Sequence, residues 1–215
     1  MDNMNFDKVY NEMFSNNEHF KDVYLNRRGK LYSKILDIAG SLGVSSMLDI
    51  GCAYGLLVEE ANRKGLDCWG MDLQIDELKR IHKTLPLSSE KFIYGTIEDR
   101  GVVSLIGQKG FDAILLLDTL RSLGDPGGLA CLTPRYIIIK DACDNARIRR
   151  RPQETILRVK LYSPASLLET FPGYHIRTIY PSRFLFRINS PSAVTCALIN
   201  SVFPTYCVVL EKNKP

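Results

Sequence analysis

The chain has 215 residues, of which 45% are hydrophobic and 24% are charged, and its net charge is +4. The length allows one α/β domain with a buried core, and so small a charge does not by itself indicate a nucleic-acid partner. The six cysteines are scattered, with no Cys-x-x-Cys pair and no histidine nearby, which argues against a zinc site and a disulfide framework. No apolar run approaches the length of a membrane span and no signal peptide is recognised, so a cytoplasmic location is expected.

The N-terminal part is expected to be helical. Residues 1–17 are polar and rich in asparagine, and from Phe20 to Leu42 apolar residues recur at helical spacing until Gly43. A basic patch at residues 26–30 interrupts this series. The spacing predicts a helix that ends near residue 43.

The stretch from residue 46 to residue 72 carries the most informative pattern. An apolar strand, Ser46–Ile50, ends in a turn with three small residues at 51, 53 and 55, and a helical segment, Leu56–Arg63, follows. A second apolar strand, Cys68–Met71, ends in Asp72. This order predicts a right-handed βαβ unit, in which small residues let backbone N–H groups approach a ligand. Asp72 lies where a carboxylate accepts hydrogen bonds from both hydroxyls of a ribose, so the unit predicts a site for an adenosine-containing cofactor.

The acid before the turn indicates which cofactor this is. A dinucleotide fingerprint needs Gly-x-Gly-x-x-Gly, but Ala53 and Leu56 stand at its second and third glycines. Asp49 precedes the first glycine, where a carboxylate would repel a pyrophosphate and attract the positive sulfonium of S-adenosylmethionine (SAM). The pattern Asp49-x-Gly51-x-Ala53-x-Gly55 resembles motif I of the class I SAM-dependent methyltransferases. A βαβ turn that binds no cofactor is the alternative.

The elements after this unit alternate between helices and strands. Ile75 to Leu85 has the spacing of an amphipathic helix, and its His82 is expected to be partly exposed. Ser163 is the expected N-cap of a later helix, and residues 181–204 are expected to form an apolar insertion with short helices. The remaining predicted strands are residues 91–94, 111–118, 136–140, 175–180 and 206–211.

The order of the elements over residues 20–212 also resembles that of the class I methyltransferases. The resemblance implies a seven-stranded, mostly parallel, doubly wound α/β sheet with helices on both faces. In this family the last strand is antiparallel and lies between strands five and six. The resemblance therefore implies a single domain over residues 1–215, with an N-terminal helical cap (1–43), a cofactor-binding half (44–141) and a substrate-side half (142–215).

The resemblance also implies a set of cofactor-binding residues. The loop after strand three cradles adenine in this family and often has an Asp after its glycine, where this sequence has Thr96. Glu98 or Asp99 is then the expected acceptor, and Ile97 packs on the ring. The predicted cofactor-binding residues are Asp49, Gly51, Cys52, Ala53, Tyr54, Gly55, Asp72, Leu73, Ile97, Glu98, Leu117 and Asp118, together with Tyr24 and Arg28 from the N-terminal helix. A solvated helix face is the alternative for the last two.

The end of the fourth strand resembles the family's reaction site. Members of the family usually have a segment like Asp-Val-Leu-Glu-His-Leu-x-Asp-Pro at this point. The sequence from Asp118 to Pro126 agrees with it at positions 118, 120, 123, 125 and 126, and has Ser122 where the family often has His. The resemblance places the carboxyl end of this strand at the transferred methyl group. Transfer to an oxygen needs a base, and the catalytic candidates are Asp118 and Asp141, with His175 as a weaker one. Their spacing does not single one out.

A cluster of arginines follows the fifth strand, in a segment that contributes substrate contacts in this fold. Because guanidinium groups bind phosphate or carboxylate oxygens in pairs, the cluster predicts an anion clamp for the acceptor. A solvated loop is the alternative. The predicted substrate-binding residues are Arg147, Arg149, Arg150 and Arg151.

The sequence therefore predicts a SAM-dependent methyltransferase, with S-adenosylhomocysteine (SAH) as the cofactor product. Its expected acceptor is the oxygen or nitrogen of a small molecule that bears phosphate or carboxylate, because the signatures of DNA-, protein- and metal-dependent methylation are missing. No metal is expected, and the oligomeric state is left open. Two alternatives remain: an RNA-modifying methyltransferase, which the arginines would suit, and a non-catalytic SAM-fold protein that acts as a scaffold.

Overall fold

The computed structural model describes residues 29–73, 75–85, 89–124, 126–142, 162–181, 186–203 and 205–214. The chain divides into two compact units, Met1–Thr96 and Ile97–Pro215. The single domain over residues 1–215 stays a prediction. Tyr24, Arg28 and the four arginines of the predicted clamp lie outside the described residues.

The first unit contains three parallel strands in the order β3-β2-β1. Every residue of β1 except the first is buried, as expected for a strand covered on both faces. The strands are β1 (Ser46–Ile50), β2 (Asp67–Asp72) and β3 (Phe92–Tyr94), and the helices are α1 (Gly29–Ser41), α2 (Leu56–Arg63) and α3 (Asp76–Thr84). The strand–helix–strand order predicted for residues 46–72 is therefore confirmed, with the bounds of β1 and α2 as predicted.

The described residues of the second unit form five strands in the order β4-β5-β8-β6-β7. Strands β4 and β5 are parallel, whereas β8 runs antiparallel to both β5 and β6, and β7 runs antiparallel to β6. The strands are β4 (Ala113–Leu117), β5 (Tyr136–Ala142), β6 (Tyr174–Pro181), β7 (Ile188–Asn189) and β8 (Thr205–Lys212), and the helices are α4 (Arg100–Lys109), α5 (Pro164–Thr170) and α6 (Ala193–Val202). The last strand thus lies between the fifth and sixth, as the resemblance implies.

The α/β fold class is confirmed, and the differences from the prediction are local. The described residues form eight strands rather than seven, because the two-residue β7 pairs with β6 inside the predicted apolar insertion. That insertion also holds α6, a helix of ten residues rather than several short ones. The predicted N-cap of α5 is confirmed, since the Ser163 hydroxyl accepts from the Ser166 N–H in a capping box.

Helix α4 was missing from the sequence prediction. Its apolar pattern is weak, because Ile106 is its one buried residue among those described. The helix is instead set by its ends: the Asp99 carboxylate accepts from the N–H groups of Gly101 and Val102, and Gly110 ends the helix with a φ of 65°. Asp99, one of the two candidate adenine acceptors, is therefore engaged in capping.

Candidate functional site

The turn after β1 is fastened to the end of β2 by backbone hydrogen bonds. The N–H groups of Gly51 and Cys52 both donate to the Met71 carbonyl oxygen, at 2.8 and 3.1 Å. Gly51 and Gly55 have φ values of 77° and 73°, which glycine adopts without strain. Ala53 lies between them with a φ of 49°, a left-handed conformation that is unfavourable for a residue with a Cβ. The turn is thus a strained, well-anchored structure.

Asp72 closes this turn from the end of β2. Its Oδ2 accepts from the Ala53 N–H at 2.7 Å, and its Oδ1 accepts from the Leu73 N–H at 2.8 Å. Burial raises the pKa of the Asp72 carboxyl, against the lowering effect of these two hydrogen bonds. Each carboxylate oxygen has a further lone pair beyond the one that accepts from the backbone. The predicted role of Asp72 as the ribose acceptor therefore stays chemically possible and stays a prediction.

Asp49 and Cys52 lie on either side of the first glycine of the turn. Asp49 is a buried carboxylate within β1, opposite Gly70 of β2. Cys52 is also buried, and burial, together with the charges of Asp72 and Asp49, raises the pKa of its thiol. The thiol is therefore neutral and unsuited to act as a nucleophile, and its predicted contact with the cofactor stays a prediction.

Two glycines make room for the Phe92 ring beneath the turn. A Cβ at Gly55 would lie 2.7 Å from that ring, and a Cβ at Gly70 would lie 2.7 Å from the Cys52 sulfur. Tyr54, a predicted cofactor residue, is buried in a cluster with Ile75. Close packing therefore requires small residues here, in addition to any requirement of a ligand.

His82 is a part of this structure that the sequence analysis did not recognise. It was expected to be partly exposed, but its side chain is fully buried. Its Nε2 lies 2.8 Å from the Ala53 carbonyl oxygen, and its Nδ1 lies 3.1 Å from the Tyr94 hydroxyl. The expectation was wrong because His82 lies on the inner face of α3, where its ring stacks on Phe92 with centroids 3.7 Å apart.

In the second unit, Asp118 directly follows β4 and is paired with a lysine. Both of its carboxylate oxygens accept from Lys140 Nζ, at 2.5 and 2.7 Å. Its N–H donates to the Lys140 carbonyl oxygen at 2.7 Å, and its φ of 62° is again left-handed. Leu117, just before it, is buried in β4. A base at this position would have to act from within an ion pair, so the catalytic role of Asp118 stays a prediction.

Asp141, the second catalytic candidate, is buried at the carboxyl end of β5. Its Oδ2 accepts from the Arg121 N–H at 3.4 Å, and its Oδ1 lies 3.8 Å from Arg121 Nε. The sequence analysis gave no role to Lys140 or Arg121. The parallel register places Lys140 opposite Leu117, the last residue of β4, and so beside Asp118, a proximity that only the structure shows.

His175 lies at the other end of the strands from Asp118. Strand pairing puts it opposite Glu211, which in turn pairs with Tyr136, the first residue of β5. Its ring is exposed, and Nδ1 lies 2.9 Å from Asn213 Oδ1. Ligands in open α/β sheets bind at the carboxyl ends of parallel strands, so this position counts against His175 as the base.

The residues predicted to contact adenine, Ile97 and Glu98, are the first two residues of the second unit. Ile97 is buried, whereas Glu98 is exposed and its Oε1 accepts from the Gly124 N–H at 3.2 Å. Glu98 therefore keeps acceptor capacity on a mostly solvated carboxylate. Both contacts with adenine stay predictions.

No family model and no curated protein matches the sequence, but the fold matches those of many solved structures. A chain from the complex of the Haloferax volcanii Trm112 methyltransferase activator is 12% identical, with a TM-score of 0.64 over 97% of this chain and 96% of that chain. A SAM-dependent methyltransferase from Archaeoglobus fulgidus is 15% identical, with a TM-score of 0.56 over 91% and 100% of the two chains. Magnesium protoporphyrin IX methyltransferase from Synechocystis with bound SAH is 16% identical, with a TM-score of 0.57 over 97% and 94%. The chain has the class I methyltransferase fold.

The cofactor of these methyltransferases fits the residues of the turn. The buried acid under the turn, Asp49, suits a cationic sulfonium. Gly51 has a positive φ, which favours glycine, and without a Cβ its backbone can be approached closely by a ligand. Within the described ranges, no helix is long and apolar enough to cross a membrane. Among those same residues, no cluster of His, Cys, Asp and Glu side chains is arranged to hold a metal ion.

Proposed function

We propose that the protein is a SAM-dependent methyltransferase that transfers a methyl group to an oxygen or nitrogen of a small acceptor. The observation that carries the proposal is the turn after β1, in which the Asp72 carboxylate at the end of β2 accepts a hydrogen bond from the Ala53 N–H. The buried Asp49 under the same turn favours a cofactor with a positive charge. When bound, SAM supplies a methyl group that its sulfonium has already activated.

The chain's own residues hold and orient the reactants. Asp72 accepts hydrogen bonds from the ribose hydroxyls with the lone pairs that Ala53 and Leu73 leave available. Gly51 lets the backbone approach the cofactor, as its φ of 77° allows. For an activated methyl group, alignment of the nucleophile at near-attack distance supplies most of the rate.

The acceptor is proposed to be anionic because of the four arginines after β5, at 147 and 149–151. The described cations near the strand ends do not serve this purpose, since Lys140 pairs with Asp118 and Arg121 pairs with Asp141. Asp118 or Asp141 is proposed as the base for an oxygen nucleophile. Either carboxylate would have to take the proton from within its ion pair with Lys140 or Arg121.

A methylation screen tests the proposal. The protein is incubated with labelled SAM and three sets of acceptors: anionic small molecules, neutral small molecules and RNA. We expect transfer to an anionic small molecule. Transfer to RNA alone would favour the RNA-modifying alternative, and no transfer together with tight SAH binding would favour the scaffold.

The arginine clamp is tested with a double variant once an acceptor is known. Arg149→Ala with Arg150→Ala should raise the acceptor KM about tenfold or more and leave SAM affinity unchanged, because a bidentate arginine–anion pair is stronger than a surface ion pair. The control replaces Arg63 and Lys64, two exposed cations at the end of α2, by alanine. Equal kinetics in the two double variants would show that Arg149 and Arg150 do not bind the acceptor and are only surface charges.

A further inference from the structure

Ala53 is held from two sides by side chains of two different elements. The Asp72 carboxylate at the end of β2 accepts from its N–H at 2.7 Å, and the His82 ring on α3 contacts its carbonyl oxygen at 2.8 Å. Both peptide groups that flank the Ala53 Cα are therefore fixed. A left-handed residue other than glycine is disfavoured, and it persists only where its surroundings determine it.

The hydrogen-bond partners define the form of the imidazole. A carbonyl oxygen only accepts, so Nε2 of His82 must carry the hydrogen and donate to Ala53. In the neutral ring Nδ1 is then the acceptor, and the Tyr94 hydroxyl donates to it across 3.1 Å. Burial lowers the pKa of His82, against the raising effect of the bond to Ala53, which keeps this neutral form at physiological pH.

Packing leaves the ring little freedom to turn away. Its face stacks on Phe92 at 3.7 Å and 9°, and Phe92 itself fills the space above Gly55 and Gly70. Two further titratable groups lie near Tyr94, the second partner of the ring: the Lys79 ammonium is 5.7 Å from the Tyr94 ring centroid, and the Cys52 thiol interacts with the phenol. The ring, its two partners and the turn thus form one packed unit.

We propose that His82 is a positioning residue for the cofactor site: by donating from Nε2 to the Ala53 carbonyl oxygen, it holds the turn in the conformation that presents the backbone and Asp72 to SAM. The inference rests on the proposed function for its ligand. It does not rest on that function for its geometry, because both contacts to Ala53 are made by the chain's own side chains. A residue that fixes the binding groups before the ligand arrives lowers the entropy that is lost when the ligand binds.

Two amide substitutions that differ by one methylene test the proposal. In His82→Gln the amide reaches the place of Nε2 and can donate to the Ala53 oxygen. In His82→Asn the shorter amide reaches only the place of Nδ1, near Tyr94. Both variants lose the stacked ring, so a merely structural role would affect them alike. Val209→Ala, in the buried part of β8, serves as a control that lowers stability without touching the turn.

Two measurements are made on the full chain: SAH affinity by calorimetry and hydrogen exchange of the Ala53 and Gly55 amides without ligand. We expect His82→Asn to weaken SAH binding about tenfold and to accelerate the exchange of both amides, since the buried hydrogen bond to the Ala53 oxygen is lost. His82→Gln should stay within about threefold of the wild type. Val209→Ala should lower the melting temperature and leave affinity and exchange unchanged.

The outcomes separate this inference from the proposed function. Equal SAH affinity and equal exchange in His82→Asn and His82→Gln would overturn the positioning role. Failure of the wild type to bind SAH would overturn the proposed function, while the exchange arm would still decide whether His82 holds the turn. If His82→Asn did not fold, His82→Met, which fills the space of the ring but has no donor for the Ala53 oxygen, would replace it. SAH affinity and amide exchange equal to those of His82→Gln would then count against the proposal.

Discussion

The turns after β1 and β4 both contain a left-handed residue other than glycine, but different contacts stabilise it in each turn. Each carries a residue other than glycine in the left-handed region, Ala53 with a φ of 49° and Asp118 with a φ of 62°. Ala53 is held through its backbone by His82 and Asp72, and its own side chain is only a methyl group. Asp118 is held through its own carboxylate, which Lys140 engages at both oxygens.

The difference shows which groups each turn leaves for a ligand. The turn after β1 is fixed by residues outside it. Because the N–H groups of Gly51, Cys52 and Ala53 are already engaged, it offers a cofactor close packing against its glycine backbone rather than free donors. The turn after β4 is held by the carboxylate of Asp118 itself, so the catalytic role predicted for Asp118 would depend on Lys140. We therefore expect substitutions around the first turn to change cofactor binding most, and substitutions around the second to change stability most.

The largest effect is expected for Gly51→Val, which should abolish SAM binding. A branched side chain would occupy the space through which the backbone approaches the cofactor. The control is Gly65→Val: Gly65 also has a positive φ, 85°, but nothing lies within 4 Å of the place of its Cβ. The two variants share the backbone strain, so calorimetry with SAM should find binding lost only in the first. Normal binding by Gly51→Val would show that the backbone there does not approach the cofactor.

A smaller loss is expected for Asp72→Ala, which should weaken SAM binding at least about tenfold, because charge-assisted hydrogen bonds are worth about 1.5–3 kcal/mol each. Asp67→Ala provides the comparison in the same strand. Asp67 is exposed and bonds Lys91 and Trp69 at the amino end of β2. A wild-type dissociation constant for folded Asp72→Ala would refute the ribose contact.

For the second turn, Lys140→Met should lower the free energy of unfolding by about 1–3 kcal/mol, between the values for exposed and buried ion pairs. The side chains of Lys140 and Asp118 are 23% and 17% exposed, so the remaining carboxylate would be poorly solvated. Adding Asp118→Asn should recover part of the loss, since asparagine tolerates a positive φ. Lys91→Met, at the more exposed pair with Asp67, should be milder. Denaturant midpoints that rank the two lysine variants the other way would contradict this account.

The sequence predicted the first turn far better than the second. Hydrophobic runs and small residues place β1, α2 and Asp72 by local rules alone. The roles of His82 and Lys140 could not be predicted in this way, because each depends on a partner at another position in the chain: Ala53 lies 29 residues from His82, and Asp118 lies 22 residues from Lys140. A polar residue on an amphipathic helix is usually exposed, and only tertiary packing shows that His82 is not. Helix α4 was missed for a related reason, since its ends define it rather than its pattern.

The smallest effect concerns pH. Burial lowers the pKa of His82 in the folded protein, so below about pH 6.5 the unfolded chain binds more protons at this position and stability falls as pH falls. The raised pKa of Asp72 has the opposite sign: it favours the folded state as pH falls further, towards the titration range of carboxyl groups. Melting temperatures between about pH 7 and pH 5.5 should therefore decline more steeply for the wild type than for His82→Gln. Parallel profiles would mean that His82 does not titrate differently on folding.

We infer above all that the turn after β1 binds SAM rather than a dinucleotide. Calorimetric titration of the wild type measures this preference directly. We expect SAH to bind with a dissociation constant well below about 1 mM, and NAD to give no heat at the same concentrations because the buried Asp49 repels a pyrophosphate. Binding of NAD, or no heat from SAH at millimolar concentration, would contradict the account.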